Sequence, residues 1–191
     1  MVEKVLKEAK RRLKKDPFDV GHDYDHHLAV VMNCLTIIEN ENLDLDVNSL
    51  LIAAWWHDYK RNQDDENDRI LTETMIQAGF EQSAIKKVLS IKNAHSFGNE
   101  QISLEQQVLF DADKLEYASV ERIKKVSAAV VLGEMTEETQ GKYKAAFKDR
   151  IAKVLKNLHF ESTRNRMKTR IEEVRAYCIT DPKWTGIVDE I

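Results

Sequence analysis

The stretch SLLIAAWWHDYK, residues 49–60, sets seven apolar residues, Leu50 to Trp56, directly against His57 and Asp58. A run this apolar belongs in a core, and Asp46 just ahead of it is an N-cap candidate, so the stretch predicts a buried helix. An ionisable pair at the end of a buried helix needs compensation, either a hydrogen bond or a metal.

Working outward, the neighbouring segments are also helical. Val2, Val5, Leu6, Ala9 and Leu13 fall at helical spacing over residues 2–15, and Asp16-Pro17 ends that pattern. From about His26 to Asn40, apolar residues surround most of the circumference, which predicts a central helix. Downstream, residues 61–69 predict a charged loop, 69–78 a short helix closed by Gly79, 81–94 another helix, and 95–103 a loop. Residues 104–131 predict one long or bent helix with Gly133 at its end, and 137–179 one or two more. No segment alternates with period two for long, and no hairpin signal appears. The expected fold class is all-α, a compact helical bundle. With 191 residues, no repeat and no Pro, Gly or Ser-rich linker, one domain is expected over 1–191, with a core at about 20–135 and a helical C-terminal extension at about 137–191.

Composition agrees. Hydrophobic residues at 42%, charged residues at 32%, six Gly and two Pro describe a helix-rich globular chain and exclude a disordered or fibrous one. The amino terminus MVEKVLKEAKRRLKKD lacks the apolar core of a signal peptide, and no run approaches the roughly 18 apolar residues of a membrane span. Cys34 and Cys178 lie in helical patterns as small hydrophobes, so no disulfide framework is expected and a cytoplasmic location is. A net charge of −4 is too small to imply a partner.

Of six histidines, His22, His26, His27 and His57 lie in or beside the second and third helices. FDADK, residues 110–114, adds Asp111 and Asp113 to another apolar helix, where an unpaired aspartate is expensive. A His-Asp structural pair is the simple explanation of WWHD alone. Three helical segments that each carry His or Asp on an apolar stretch are explained most economically by a shared divalent ion. Neighbouring helical residues point about 100° apart, so His57 and Asp58 reach one ion only if it lies beside the helix. Mixed imidazole and carboxylate donors suit Mn, Fe, Co, Ni or Zn and leave positions for water.

The ordered set GHDYDHH (21–27), WWHDYK (55–60), NAHSFGN (93–99), LFDADKLE (109–116) and STRNRMKTR (162–170) resembles the HD-domain metal-dependent phosphohydrolase superfamily, in its compact single-domain bacterial branch. The resemblance spans most of the chain and implies an HD-type bundle with a metal site between central helices. It implies His26, His57, Asp58 and Asp113 as metal ligands, with His27 a surface neighbour and Asp111 either a ligand or its support. The implied cofactor is a divalent ion (Mn, Mg, Fe, Co, Ni or Zn, with Mn favoured), and the implied substrate a small phosphate ester or anhydride such as a nucleotide.

By the same resemblance Asp58 or Asp113 orients the attacking water, and Lys60, Arg61 and Lys114 offset phosphoryl charge. Lys60 and Arg61 are equally explained as solvated cations at a helix C-terminus. His22, Asp23 and His95 are expected near the pocket, touching substrate or a second ion, or else bonding within loops. Glu105 matches an acidic position ahead of the DAD triplet. Trp55 and Trp56 are expected in the core, though one could line the pocket.

Ala29 departs from the branch, which commonly has Arg there, and so favours an alternative: an HD-fold sensor that binds a nucleotide without turnover. Residues 142–175 hold eleven Lys and Arg against four Asp and Glu, which raises a nucleic-acid or protein-interaction module as a third reading and a solvated face as the simpler one. Ligand histidines must be neutral, so metal affinity is expected to fall below about pH 6.

Overall fold

The computed structural model describes residues 1–16, 19, 21–60, 63–180 and 184. Among these there is no strand, and the all-α expectation holds. The helices are α1 (Val2–Lys15), α2 (Tyr24–Glu41), α3 (Val47–Trp56), α4 (Asp64–Gln77), α5 (Gln82–Asn93), α6 (Leu104–Leu115), α7 (Val120–Val131), α8 (Glu137–Asn157) and α9 (Glu161–Thr180). None is long and apolar enough to cross a membrane. The chain forms two compact units, Met1–Asp113 and Lys114–Ile191.

In the first unit α3 is central, packed by α1, α2 and α5. Its sequence dictates this, because Leu50, Ile52, Ala53, Ala54 and Trp56 are all fully buried, leaving no polar face to turn outward. Asp46 caps α3 by accepting from Ser49 N–H at 3.1 Å. Val5, Ala9 and Leu13 form the single buried stripe of α1. Gly79, at φ 89°, takes the left-handed position that closes α4.

Two boundaries differ from the sequence reading. The segment read as a charged loop over 61–69 is helical from Asp64, because Asp64, Asp65 and Glu66 lie in the first turn, where carboxylates complement the helix dipole. The long helix expected over 104–131 breaks into α6, a 3₁₀ turn at Glu116–Ala118, and α7, which restarts on the extended residue Ser119.

In the second unit α7, α8, α9 and the 3₁₀ turn pack together. Arg170 of α9 reaches the end of α6, donating to Leu115 O at 2.8 Å and to Glu116 Oε1 at 2.7 Å, a largely buried ion pair. The STRNRMKTR segment thereby acts through Arg170 on the segment following DAD. Trp184 is fully buried and donates Nε1–H to Ser127 Oγ at 2.6 Å.

Candidate metal centre

Asp23 caps α2 by accepting from His26 N–H at 3.0 Å, which fixes His26 in the first turn. The buried helix α3 stops at Trp56, one residue before the pair it was expected to include. His57 is the C-cap, residues 57–60 form a turn, and Lys60 lies in the left-handed region at φ 55°. Asn67, fully buried on α4, donates Nδ2–H to Trp56 O at 2.8 Å and satisfies a carbonyl that the helix end leaves over. On the far side, Asn33 of α2 donates to Ala112 O at 3.0 Å, tying α2 to the residue before Asp113.

These supports bring His26, His57, Asp58 and Asp113 together, with one donor atom from each lying within 4.8 Å of the others. His26 Nε2 lies 3.1 Å from His57 Nε2 and 3.5 Å from Asp113 Oδ1. His57 Nε2 lies 3.6 Å from Asp58 Oδ2 and 3.7 Å from Asp113 Oδ1. All four residues are buried, at 1–7% exposure. His57 donates Nδ1–H to Ala54 O at 2.8 Å, so in its neutral form Nε2 presents a lone pair to the cluster. Donors at adjacent positions around an ion bound at about 2.0–2.2 Å stand about 2.8 to 3.1 Å apart in octahedral and about 3.3 to 3.6 Å apart in tetrahedral geometry, close to these separations. Two imidazole nitrogens and two carboxylates converging in a buried space fit a divalent ion.

The charges are coupled. Burial alone would depress the His57 imidazole, but the Asp58 and Asp113 carboxylates outweigh it and hold its pKa above the usual histidine value. Burial would raise Asp58, but His57 and His95 outweigh it and hold that carboxyl well below the usual range.

Around this cluster, His95 donates Nδ1–H to Lys92 O at 2.6 Å and turns Nε2 to Asp58 Oδ1 at 3.3 Å. His22 pairs through Nδ1 with Asp19 at 2.8 Å and sets Nε2 3.6 Å from Asp58 Oδ2. Both sequence-selected histidines thus meet the same carboxylate. Asp23 is the α2 cap, and Asp111 is fully buried on α6. Glu105 accepts from Asp46 N–H at 3.3 Å and pairs with Lys87 at 3.0 Å. Lys60 bonds Asp16 at 3.1 Å, Lys114 is buried beside Tyr117, and Arg61 lies outside the described residues. Trp55 and Trp56 are in the core as expected.

His27 overturns its expectation. It is not a surface neighbour: it has 0% exposure, because the capped first turn of α2 points it inward against His57, ring centroids 4.6 Å apart. Its Nδ1–H donates to Asp23 O at 2.8 Å, and its buried Nε2 has no hydrogen-bond partner. Burial, reinforced by His57, pushes its pKa down to about 3, so the ring is neutral.

The sequence reading also missed the supports on α4. Asp68 Oδ1 lies 3.0 Å from Nζ of the buried Lys92 as an ion pair, and Lys92 supplies the carbonyl that orients His95. Asn67 and Asp68 sit in a segment whose only sequence signal is charge.

No protein-family model and no curated protein matches this chain. Solved structures are similar in fold. A predicted HD superfamily hydrolase from an uncultured Thermotogales bacterium is 21% identical over 93% of this chain and 89% of its own, with a TM-score of 0.62. An HD-superfamily hydrolase from Bacillus thuringiensis is 19% identical over 97% of each chain, at 0.70. Bacillus subtilis YpgQ, in complex with ADP, is 18% identical over 98% of this chain and 100% of its own, at 0.71. The chain has the HD-type fold.

Proposed function

We propose that this protein is a metal-dependent phosphohydrolase cleaving a phosphoester or phosphoanhydride of a nucleotide or similar small phosphate. The observation that carries the reading is the buried convergence of His26, His57, Asp58 and Asp113 with the His57 tautomer already set by Ala54. Those four residues would hold the ion. The chemistry that a bound divalent ion supplies is Lewis acidity toward a phosphoryl oxygen and a water acidified toward neutral pH. Asp58, held from both sides by His95 and His22, would orient the attacking water, with Asp113 across the cluster. His95, its Nδ1–H committed to Lys92 O, faces Asp58 through Nε2 and would hold that carboxylate in position. Lys60 reaches a phosphate only by leaving Asp16, and Lys114 and Arg61 are the other candidate cations. The ADP bound by YpgQ supports a nucleotide as the substrate class, and manganese is the metal we favour.

The test is release of phosphate, pyrophosphate or nucleoside from a nucleotide panel with Mn²⁺, comparing the native protein with Asp58→Ala. Turnover that survives unchanged in the variant sinks the proposal. The engagement of Lys60 with Asp16 favours a second reading, a nucleotide sensor without turnover. Calorimetric nucleotide binding with no product after long incubation selects it.

A further inference from the structure

α1 touches both segments that carry the cluster, in a pattern that its own helical geometry explains. Its buried residues Ala9 and Leu13 form a seam, and helical spacing puts Lys10 and Lys14 on one side of that seam, with Arg12 and the following Asp16 on the other. Lys10 Nζ lies 4.8 Å from the Trp55 ring centre, and Lys14 Nζ lies 4.5 Å from that of Tyr24. The two rings pack on each other, centroids 5.3 Å apart. Across the seam, Arg12 stacks over Tyr59 at 5.8 Å with Nη1 3.4 Å from its hydroxyl, and Asp16 accepts from Lys60 at 3.1 Å.

The partners bracket the cluster. Tyr24 is two residues before His26, Trp55 two before His57, and Tyr59 and Lys60 directly follow Asp58. We infer that α1 is a clasp: the ladder Lys10, Trp55, Tyr24, Lys14 fixes the start of α2 against the end of α3, and so sets the separation of His26 from His57. Lys10 and Lys14 are positioning residues that touch neither ion nor substrate. A cation over an aromatic face is attracted by the ring quadrupole, an attraction that an Arg guanidinium also makes and an uncharged isostere does not. The consequence for metal affinity rests on the metal-site reading above.

The sign of the effect separates a clasp from simple electrostatics. Removing two positive charges near a dication site strengthens cation binding on Coulombic grounds, whereas loosening a clasp weakens it. The experiment compares the full-length Lys10→Met/Lys14→Met variant with Lys10→Arg/Lys14→Arg and with the control Lys7→Met/Lys15→Met, which removes the same charge from exposed positions of α1. Two readouts are taken: Mn²⁺ affinity, and the NMR cross-relaxation between the His26 and His57 rings in metal-free protein.

The clasp predicts a weakening of Mn²⁺ binding by about three- to tenfold in the Met pair, with loss of the ring-to-ring signal, restoration of both by the Arg pair, and neither change in the control. Unchanged or tighter Mn²⁺ binding with the ring signal intact overturns it, even if the melting temperature falls. If the native protein binds no Mn²⁺, the metal reading fails and the ring signal alone decides: its loss in the Met pair supports the clasp, and its persistence overturns it.

Discussion

His26 and His57 oppose Nε2 to Nε2 at 3.1 Å while the second nitrogen of His57 is already committed to Ala54. With both rings neutral, either two lone pairs face each other or His26 donates Nε2–H to His57 Nε2, and a bound cation would take the place of that proton. Mn²⁺ at 100 times its dissociation constant should therefore stabilise the protein by about 2.7 kcal/mol. His26→Gln should abolish that gain and lower affinity by more than about 100-fold, beyond the usual cost of losing a supporting residue. Thermal unfolding with and without the ion measures both.

Protons compete for the same place. Because the Asp58 and Asp113 carboxylates raise the His57 pKa, competition should begin above the ordinary histidine value, higher than the pH 6 expected from sequence alone. Metal-free protein should behave oppositely: protonated His57 contributes stability that is complete below its unfolded pKa and lost as pH rises through the higher folded value. Calorimetric Mn²⁺ titrations from pH 8 to 5, with urea unfolding of the metal-free form, check the two signs together.

His27 acts in a different window. Its folded pKa of about 3 lies below the unfolded value of 6.5, so the unfolded chain takes up a proton that the native state refuses. Stability should fall as pH drops from 6.5, by an amount approaching about 5 kcal/mol near pH 3. Asp58, whose pKa is depressed, adds its own loss only below the usual aspartate range. His27→Phe should flatten the slope between pH 6 and 4, as read by urea unfolding.

Lys92 and Asp68 should respond unequally to truncation. Lys92 is 1% exposed, so Asp68→Ala strands a buried ammonium, whereas Lys92→Met removes the charge and keeps the volume. The first should cost about 2 kcal/mol or more and the second clearly less. Denaturant midpoints of the two variants and the double variant give the ordering.

Much of this was legible because apolar continuity and capping chemistry are local. The run Leu50–Trp56 announced a buried helix, and Asp46 and Gly79 marked ends that the fold uses. Aspartate and histidine on apolar segments are conspicuous, which singled out the three segments, whereas the choice of His26 over His27 and of Asp113 over Asp111 came from the family resemblance. What escaped depends on tertiary partners. His27 looks like its neighbour until the register of α2 is fixed by Asp23, and Asn67 earns its burial only because α3 ends where it does. The break at Glu116–Ser119 contains neither Gly nor Pro, so no local signal announced it.

The cluster's burial also has a kinetic meaning. With its four residues at most 7% exposed, and with α1, Asn67 and Asn33 bracing the segments that carry them, the donors have little room to swing away from a bound ion. The proposed chemistry requires that substrate and water reach the ion, so the bracing bears on how fast the donors let it go. Its loss to a chelator would then be slow, paced by the release of four donors in turn.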